Sequence, residues 1–280
     1  MRNLLAGLTL ALILPGNAAA VDRVLLVGDS WAWFQWVDES HDVVFGANGY
    51  ANVDVIGFET TENGSTARDW ATAEYLQRIT DAVADNPDVD TVQLTIGGND
   101  FLGRWRADLT MMEVDDLINT VTADLQTVVD HILSLDPDIH IILSFYDYPN
   151  FVDTLTGLSG LICEPEWQDM AMPTAFEINS TGTQFEQSYL QATSHPRVEH
   201  VSHFGLMQNA YGFPDMGIDP GDIALPGDLN LPSPLESMRE ILGIRDCFHL
   251  EPEGYDLLVQ NLFDHYYQYR FDTFFNGHFE

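Results

Sequence analysis

Val24-Leu25-Leu26-Val27-Gly28-Asp29-Ser30 is an apolar run that stops on a glycine and delivers a polar turn. Four aliphatic residues without polar alternation suit a strand covered on both faces, as in a parallel sheet. Outward from it, Asn52–Phe58, Thr91–Ile96 and Ile139–Phe145 repeat the pattern, and Val198–Val201 is a candidate fifth strand. Helical periodicity separates them: Trp70–Ala84 ends before Pro87, Glu113–Leu135 ends before Pro137, and Val114, Leu117, Ile118, Val121, Leu125, Val128 and Ile132 fall on one face of the second segment. Glu251–Tyr269 reads as a terminal helix packing Leu257, Leu258 and Leu262 inward. Strands alternating with helices predict βαβ units, a mostly parallel central sheet and an α/β sandwich. Right-handed crossovers then put the residues that follow each strand on one edge, where ligands bind. Two stretches, at about 146–193 and 204–234, read as loop insertions on that edge.

Ser30 and Asn99 both fall just past a strand end, the second in Gly97-Gly98-Asn99-Asp100. A serine hydroxyl is nucleophilic only when a base takes its proton. Of the nine histidines, His249 is the strongest candidate, because Asp246 precedes it by three residues. A helical or turn conformation would set both side chains on one side, and the carboxylate could then hold the imidazole tautomer. Alone, an Asp-x-x-His pair is a common surface pair.

These blocks, in this order, resemble the SGNH, or GDSL, hydrolase family, whose four named residues match Ser30, Gly64, Asn99 and His249. The likeness spans most of the chain. It implies a three-layer α/β/α, flavodoxin-like SGNH hydrolase fold in 21–280, acting on a carboxylic ester. It also implies an oxyanion hole formed by the Ser30 and Gly64 amides and the Asn99 side chain, beside a Ser30–His249–Asp246 triad that needs no cofactor or metal. The chain departs from the family pattern at Trp31, where Leu is frequent, at Leu250, where Pro is common, and at Cys247, which replaces a frequent Gly. Asp29 and Asp100 are read as turn-forming residues rather than catalytic ones. Within the family, lipase or phospholipase, short-chain esterase and carbohydrate O-deacetylase remain open, with a small-molecule, carbohydrate or lipid ester as substrate. From another class, a secreted binding module lacking activity is disfavoured by the intact site residues.

The chain starts with Met1-Arg2-Asn3, an apolar stretch from Leu4 to Leu14, Pro15-Gly16 and three alanines ending at Ala20. That order is a secretory signal peptide, cleaved near Ala20, and directs the protein to the periplasm or the medium. No stretch reaches the roughly 20 apolar residues of a membrane span. In an exported chain the two cysteines, Cys163 and Cys247, are expected to pair. Such a bridge would tie the loop of Asp246 and His249 to a distant insertion and contribute on the order of 4 kcal/mol.

Other patterns weigh less. Trp31, Trp33, Phe34 and Trp36 could line a subsite, but core packing is the commoner use of such rings. His200-x-x-His203 lacks a spaced third metal ligand, and Asp215, Asp219, Asp222 and Asp228 do not follow a calcium-loop pattern. Asn63 and Asn179 begin glycosylation sequons, and a glycan at Asn63 would crowd the expected oxyanion site.

The charge is extreme, with 44 acidic residues against 10 basic ones and a formal net charge of −34. All of the basic residues are arginine. Such a surface repels nucleic acid and anionic membranes, and its self-repulsion grows as salt is removed. The protein is therefore expected to require salt: its melting temperature should rise between low and molar salt, and a flat response would refute the expectation.

Overall fold

A computed structural model describes residues 21–276; the segment read as a signal peptide lies outside the described residues. The opening run becomes strand β1 (Val21–Gly28), which turns at once into helix α1 (Ser30–Val37). Then come α2 (Ser40–Ala47), β2 (Val53–Ile56), the short α3 (Ala67–Trp70), α4 (Ala73–Asp85) and β3 (Thr91–Thr95). A helix α5 (Gly98–Arg104) and the long α6 (Met111–Leu135) lead to β4 (His140–Ser144). Two further helices, α7 (Gly160–Asp169) and α8 (Ala175–Ala192), precede β5 (Val198–Val201) and α9 (Leu206–Tyr211). The chain closes with a hairpin of β6 (Met238–Ile241) and β7 (Ile244–Leu250), then α10 (Pro252–Leu262) and α11 (Gln268–Asn276).

The five-stranded sheet has the order β2-β1-β3-β4-β5, and every neighbouring pair is parallel. Alternate residues along each strand feed two cores. Leu25, Val27, Val92, Leu94, Ile141 and Leu143 pack under α4, α6 and α8, whereas Val24, Leu26, Ile142 and Val201 meet α2, α10 and α11. The result is the three-layer α/β/α sandwich. Helix α6 buries the expected stripe from Leu117 to Ile132, and Thr110 and Glu113 close its first turn as a reciprocal capping box. Strand order reverses between β1 and β3, which puts a crevice at their carboxyl ends.

One expectation changes. The stretch 146–193 is not a loop insertion throughout, because α8 is the crossover helix that packs Ile178, Phe185 and Tyr189 into the core. Its first turn is fastened by a capping box of Thr174 and Glu177, a signal present in the sequence. The stretch 204–234 is irregular as expected apart from α9 and a short turn of 3₁₀ helix, and buried amides organise it. Gln208 donates to the carbonyls of Asp228, Leu231 and Pro232 and accepts from the Asp228 amide.

Cys163 in α7 and Cys247 in β7 form the disulfide, with Cα atoms 5.9 Å apart. Helix α7 buries only Gly160 and Cys163, so little apolar burial holds it besides the bridge. Replacing both cysteines by alanine should lower unfolding free energy by on the order of 4 kcal/mol. A chemical denaturation curve identical to that of the parent would show that the bridge adds nothing.

Candidate active site

Backbone contacts at the end of β1 set the position of Ser30. Gly28 donates to the Thr60 carbonyl at 3.0 Å, its own carbonyl accepts from Glu62 at 2.9 Å, and Asp29 donates to the Thr95 carbonyl at 3.0 Å. The turn is so tight that a Cβ on Gly28 would lie 2.0 Å from the Thr95 oxygen, so only glycine fits. Asp29 caps α1 by accepting from the Trp31 amide at 3.0 Å. Ser30 is the first residue of that helix, where its amide has no intrahelical carbonyl to meet.

The partner of Ser30 comes from the hairpin. Glu240 faces Arg245 and Met238 faces Leu250, so residues 246–249 bulge opposite the single residue Arg239. Inside the bulge, Asp246 Oδ1 accepts from the Phe248 and His249 amides at 2.6 and 3.0 Å. The pair therefore shares one side through a turn within a strand rather than a helix. The Ser30 hydroxyl lies 2.7 Å from His249 Nε2, and His249 Nδ1 lies 2.7 Å from Asp246 Oδ2. A carboxylate only accepts, so Nδ1 carries the proton and Nε2 offers its lone pair to the hydroxyl. Burial pushes the Asp246 carboxyl up, but the hydrogen bond from His249, that residue's charge and the two amides bring it below the ordinary carboxylate value. Phe34 flanks the imidazole with centroids 5.0 Å apart, and Arg239 lies 4.0 Å over the other partner of that contact, the Phe34 ring, while paired with Asp38.

Gly64 and Asn99 border the same cavity as Ser30 and His249. One hydrogen of the Asn99 amide goes to the Ser65 carbonyl at 2.9 Å, which aims the side chain and leaves its second hydrogen for a ligand. Asp100, buried, accepts from the Ala67 amide at 2.6 Å and so binds α5 to α3. The cavity measures about 490 Å³. Its lining is largely apolar, with Phe101, Phe145, Ile162, Ile178, Phe185 and Phe204. Both stretches read as insertions thus contribute to it, the first through α7 and α8.

The four-aromatic motif divides. Trp31 is buried at the cavity and Phe34 packs on His249, while Trp33 and Trp36 are half-buried beside the exposed Phe58, Trp36 also packing on the core under α2. His200 and His203 do not converge: His200 pairs with Glu186 at 3.1 Å, whereas His203 is buried between Ser144 and Asn261 and pushed by burial down to about 3. Among the described residues, no group of three or more His, Cys, Asp or Glu is arranged to hold a metal ion. The Asp222 carboxylate accepts from the Asp219 amide and the Asp228 carboxylate from the Asn230 amide. Asn63 is exposed, but Asn179 is buried with its amide on the Leu229 and Leu231 carbonyls, so the second sequon is closed in the folded chain. Sequence reasoning missed Tyr146, which borders the cavity and bonds to Asp29. Its position just past the fourth strand was the available signal.

Solved structures share this fold at low identity. A Streptococcus pneumonia protein named for platelet activating factor aligns with 17% identity and a TM-score of 0.55, covering 89% of this chain and 86% of that one. A carbohydrate esterase family 3 protein from Talaromyces cellulolyticus aligns with 14% identity and a TM-score of 0.50, covering 90% and 99%. No curated protein matches in sequence. Residues 26–257 match the GDSL-like lipase/acylhydrolase family, and the chain belongs to that family.

Proposed function

We propose that this protein is an exported serine hydrolase that cleaves carboxylic esters through an acyl-enzyme on Ser30. The observation that carries the reading is the continuous relay from Ser30 through His249 to Asp246, with 2.7 Å at each step. In this reading Ser30 Oγ attacks the ester carbonyl while His249 Nε2 takes its proton. Negative charge gathers on the carbonyl oxygen, where the Ser30 and Gly64 amides and the Asn99 side chain receive it. Collapse breaks the ester C–O bond as His249 returns the proton to the departing alcohol. Water, deprotonated by the same imidazole, then releases the acid. Asp246 orients the imidazole and supports its positive charge. Its lowered pKa favours the ionised form needed for that support.

The apolar cavity beside Ser30 suits the acyl group, since about 490 Å³ of aromatic and aliphatic wall offers a two-carbon acyl few contacts. A second reading, carbohydrate O-deacetylation, draws on the exposed ring of Phe58 beside the half-buried Trp33 and Trp36, which could stack against a sugar. The disulfide supports export to an oxidising compartment.

Ser30→Ala should abolish hydrolysis of an activated ester, and a serine-directed phosphonate should label Ser30 alone; label on another residue reassigns the nucleophile. Asn99→Ala is expected to cost about 10²- to 10³-fold in kcat. Asp246→Asn, by favouring the wrong tautomer, should cost on the order of 10⁴-fold. Across an ester chain-length series, initial rates should peak above acetyl, and a maximum at acetyl, shared by acetylated sugars, would favour the second reading.

A further inference from the structure

We propose that Tyr146 is a positioning residue for acyl transfer: its phenol fastens the turn that carries Ser30 to the turn that carries Asn99. The inference rests on the reading of Ser30 as nucleophile and adds a residue to its machinery.

Tyr146 lies two residues past the end of β4, and β3 stands between β4 and β1. Its side chain crosses that gap. The hydroxyl donates to Asp29 Oδ2 at 2.5 Å and accepts from the Gly98 amide at 2.8 Å. Passage over β3 requires a missing side chain, because a Cβ on Gly98 would lie 2.7 Å from the phenol ring. Ring packing fixes the approach, with Trp31 edge-on at 5.2 Å and Phe145 at 4.9 Å. One phenol thus joins the residue before Ser30 to the residue before Asn99. In the reading above, these neighbours supply two oxyanion donors, and their spacing decides how well both reach one oxygen. Misplacement by about 1 Å can cost on the order of 10²-fold in rate.

The phenol also bears on charge. Asp29 is pushed up to about 7 by burial, against the Tyr146 hydrogen bond, the Trp31 amide and the charge of His249, with Asp100 pushing it further up. Tyr189 and Tyr255 also face it, from α8 and α10. Removing the phenol hydroxyl removes a donor that favours the ionised form, so Asp29 then takes up its proton at higher pH. A neutral Asp29 gives no support to the imidazolium that forms on His249 during attack.

Tyr146→Phe keeps the ring and deletes the hydroxyl. Its kcat on an activated ester should fall on the order of 10²-fold, with KM little changed, and the acid limb of its pH–rate profile should move to higher pH. In an Asp29→Asn background the same substitution should leave the acid limb where it is, because the carboxyl whose proton uptake the phenol opposes is gone. Thermal melting monitors folding in each variant. A Tyr146→Phe enzyme with parental kcat and pH profile overturns the proposal, as does a kcat loss that merely follows the fraction unfolded. Should Tyr146→Phe not fold, Asp29→Ala, which removes the acceptor, decides alone: a folded variant with parental kcat overturns the link. Failure of the underlying reading shows separately, as hydrolysis retained by Ser30→Ala.

Discussion

The close approach of Gly28 to the Thr95 carbonyl is the constraint on which the site depends. Where a Cβ would lie 2.0 Å from a backbone oxygen, the chain turns sharply enough for Ser30 to begin a helix directly at the strand end. The same glycine bonds through both its amide and its carbonyl to the loop after β2, at Thr60 and Glu62. That loop continues to Gly64 and Ser65, and the Ser65 carbonyl in turn receives the Asn99 amide. Ser30, Gly64 and Asn99 are therefore neighbours because three strand ends share one set of backbone hydrogen bonds. A parallel sheet supplies this arrangement only at its carboxyl edge and only where the strand order reverses.

The acidic composition meets the site in an unexpected way. Most of the carboxylates are on the surface, where water and salt moderate their repulsion. Asp29, Asp100 and Asp147 are buried, and burial raises the pKa of each. All three accept backbone amides at strand ends or helix starts: Trp31 for Asp29, Ala67 for Asp100, and Tyr148, Gly205 and Met207 for Asp147. Buried carboxylates cost less when such donors surround them. They serve here as fasteners between loops, and Asp29, Asp100 and Asp147 each reach well beyond their own turns.

The fold was legible because β1 and β4 carry continuous apolar runs, the other strands are short segments rich in Val and Ile or Leu, and α6 carries a strong stripe. Ser30, Asn99 and the Asp246–His249 pair were legible from strand ends and spacing together with family resemblance. The conformation of that pair was not, because a bulge opposite Arg239 is a property of two paired strands and leaves no local pattern. Helix α8 escaped because its segment is rich in Ser, Thr and Gln, and its core contacts at Ile178, Phe185 and Tyr189 are sparse. Only its capping box announced it. Tyr146 was invisible as a partner of Asp29, since their contact spans 117 residues and depends on the lateral order of three strands.

The way the last pieces are held separates chemistry from selectivity. Ser30, Gly64 and Asn99 belong to the sheet edge, whereas His249 arrives on a hairpin 219 residues later and must be held there by contacts of its own. Phe34 supplies one contact from α1, and Arg239 braces that ring while bonding Asp38 at the helix end. The disulfide supplies another, but from α7, whose Ile162 borders the cavity. One covalent bond thus links a wall of the cavity to the bulge of Asp246 and His249. Side chains on the exposed helix can change what enters the cavity without disturbing the backbone contacts at Gly28. Because the same bond anchors α7 at Cys163, the position of that helix and the bulge of Asp246 and His249 are covalently linked.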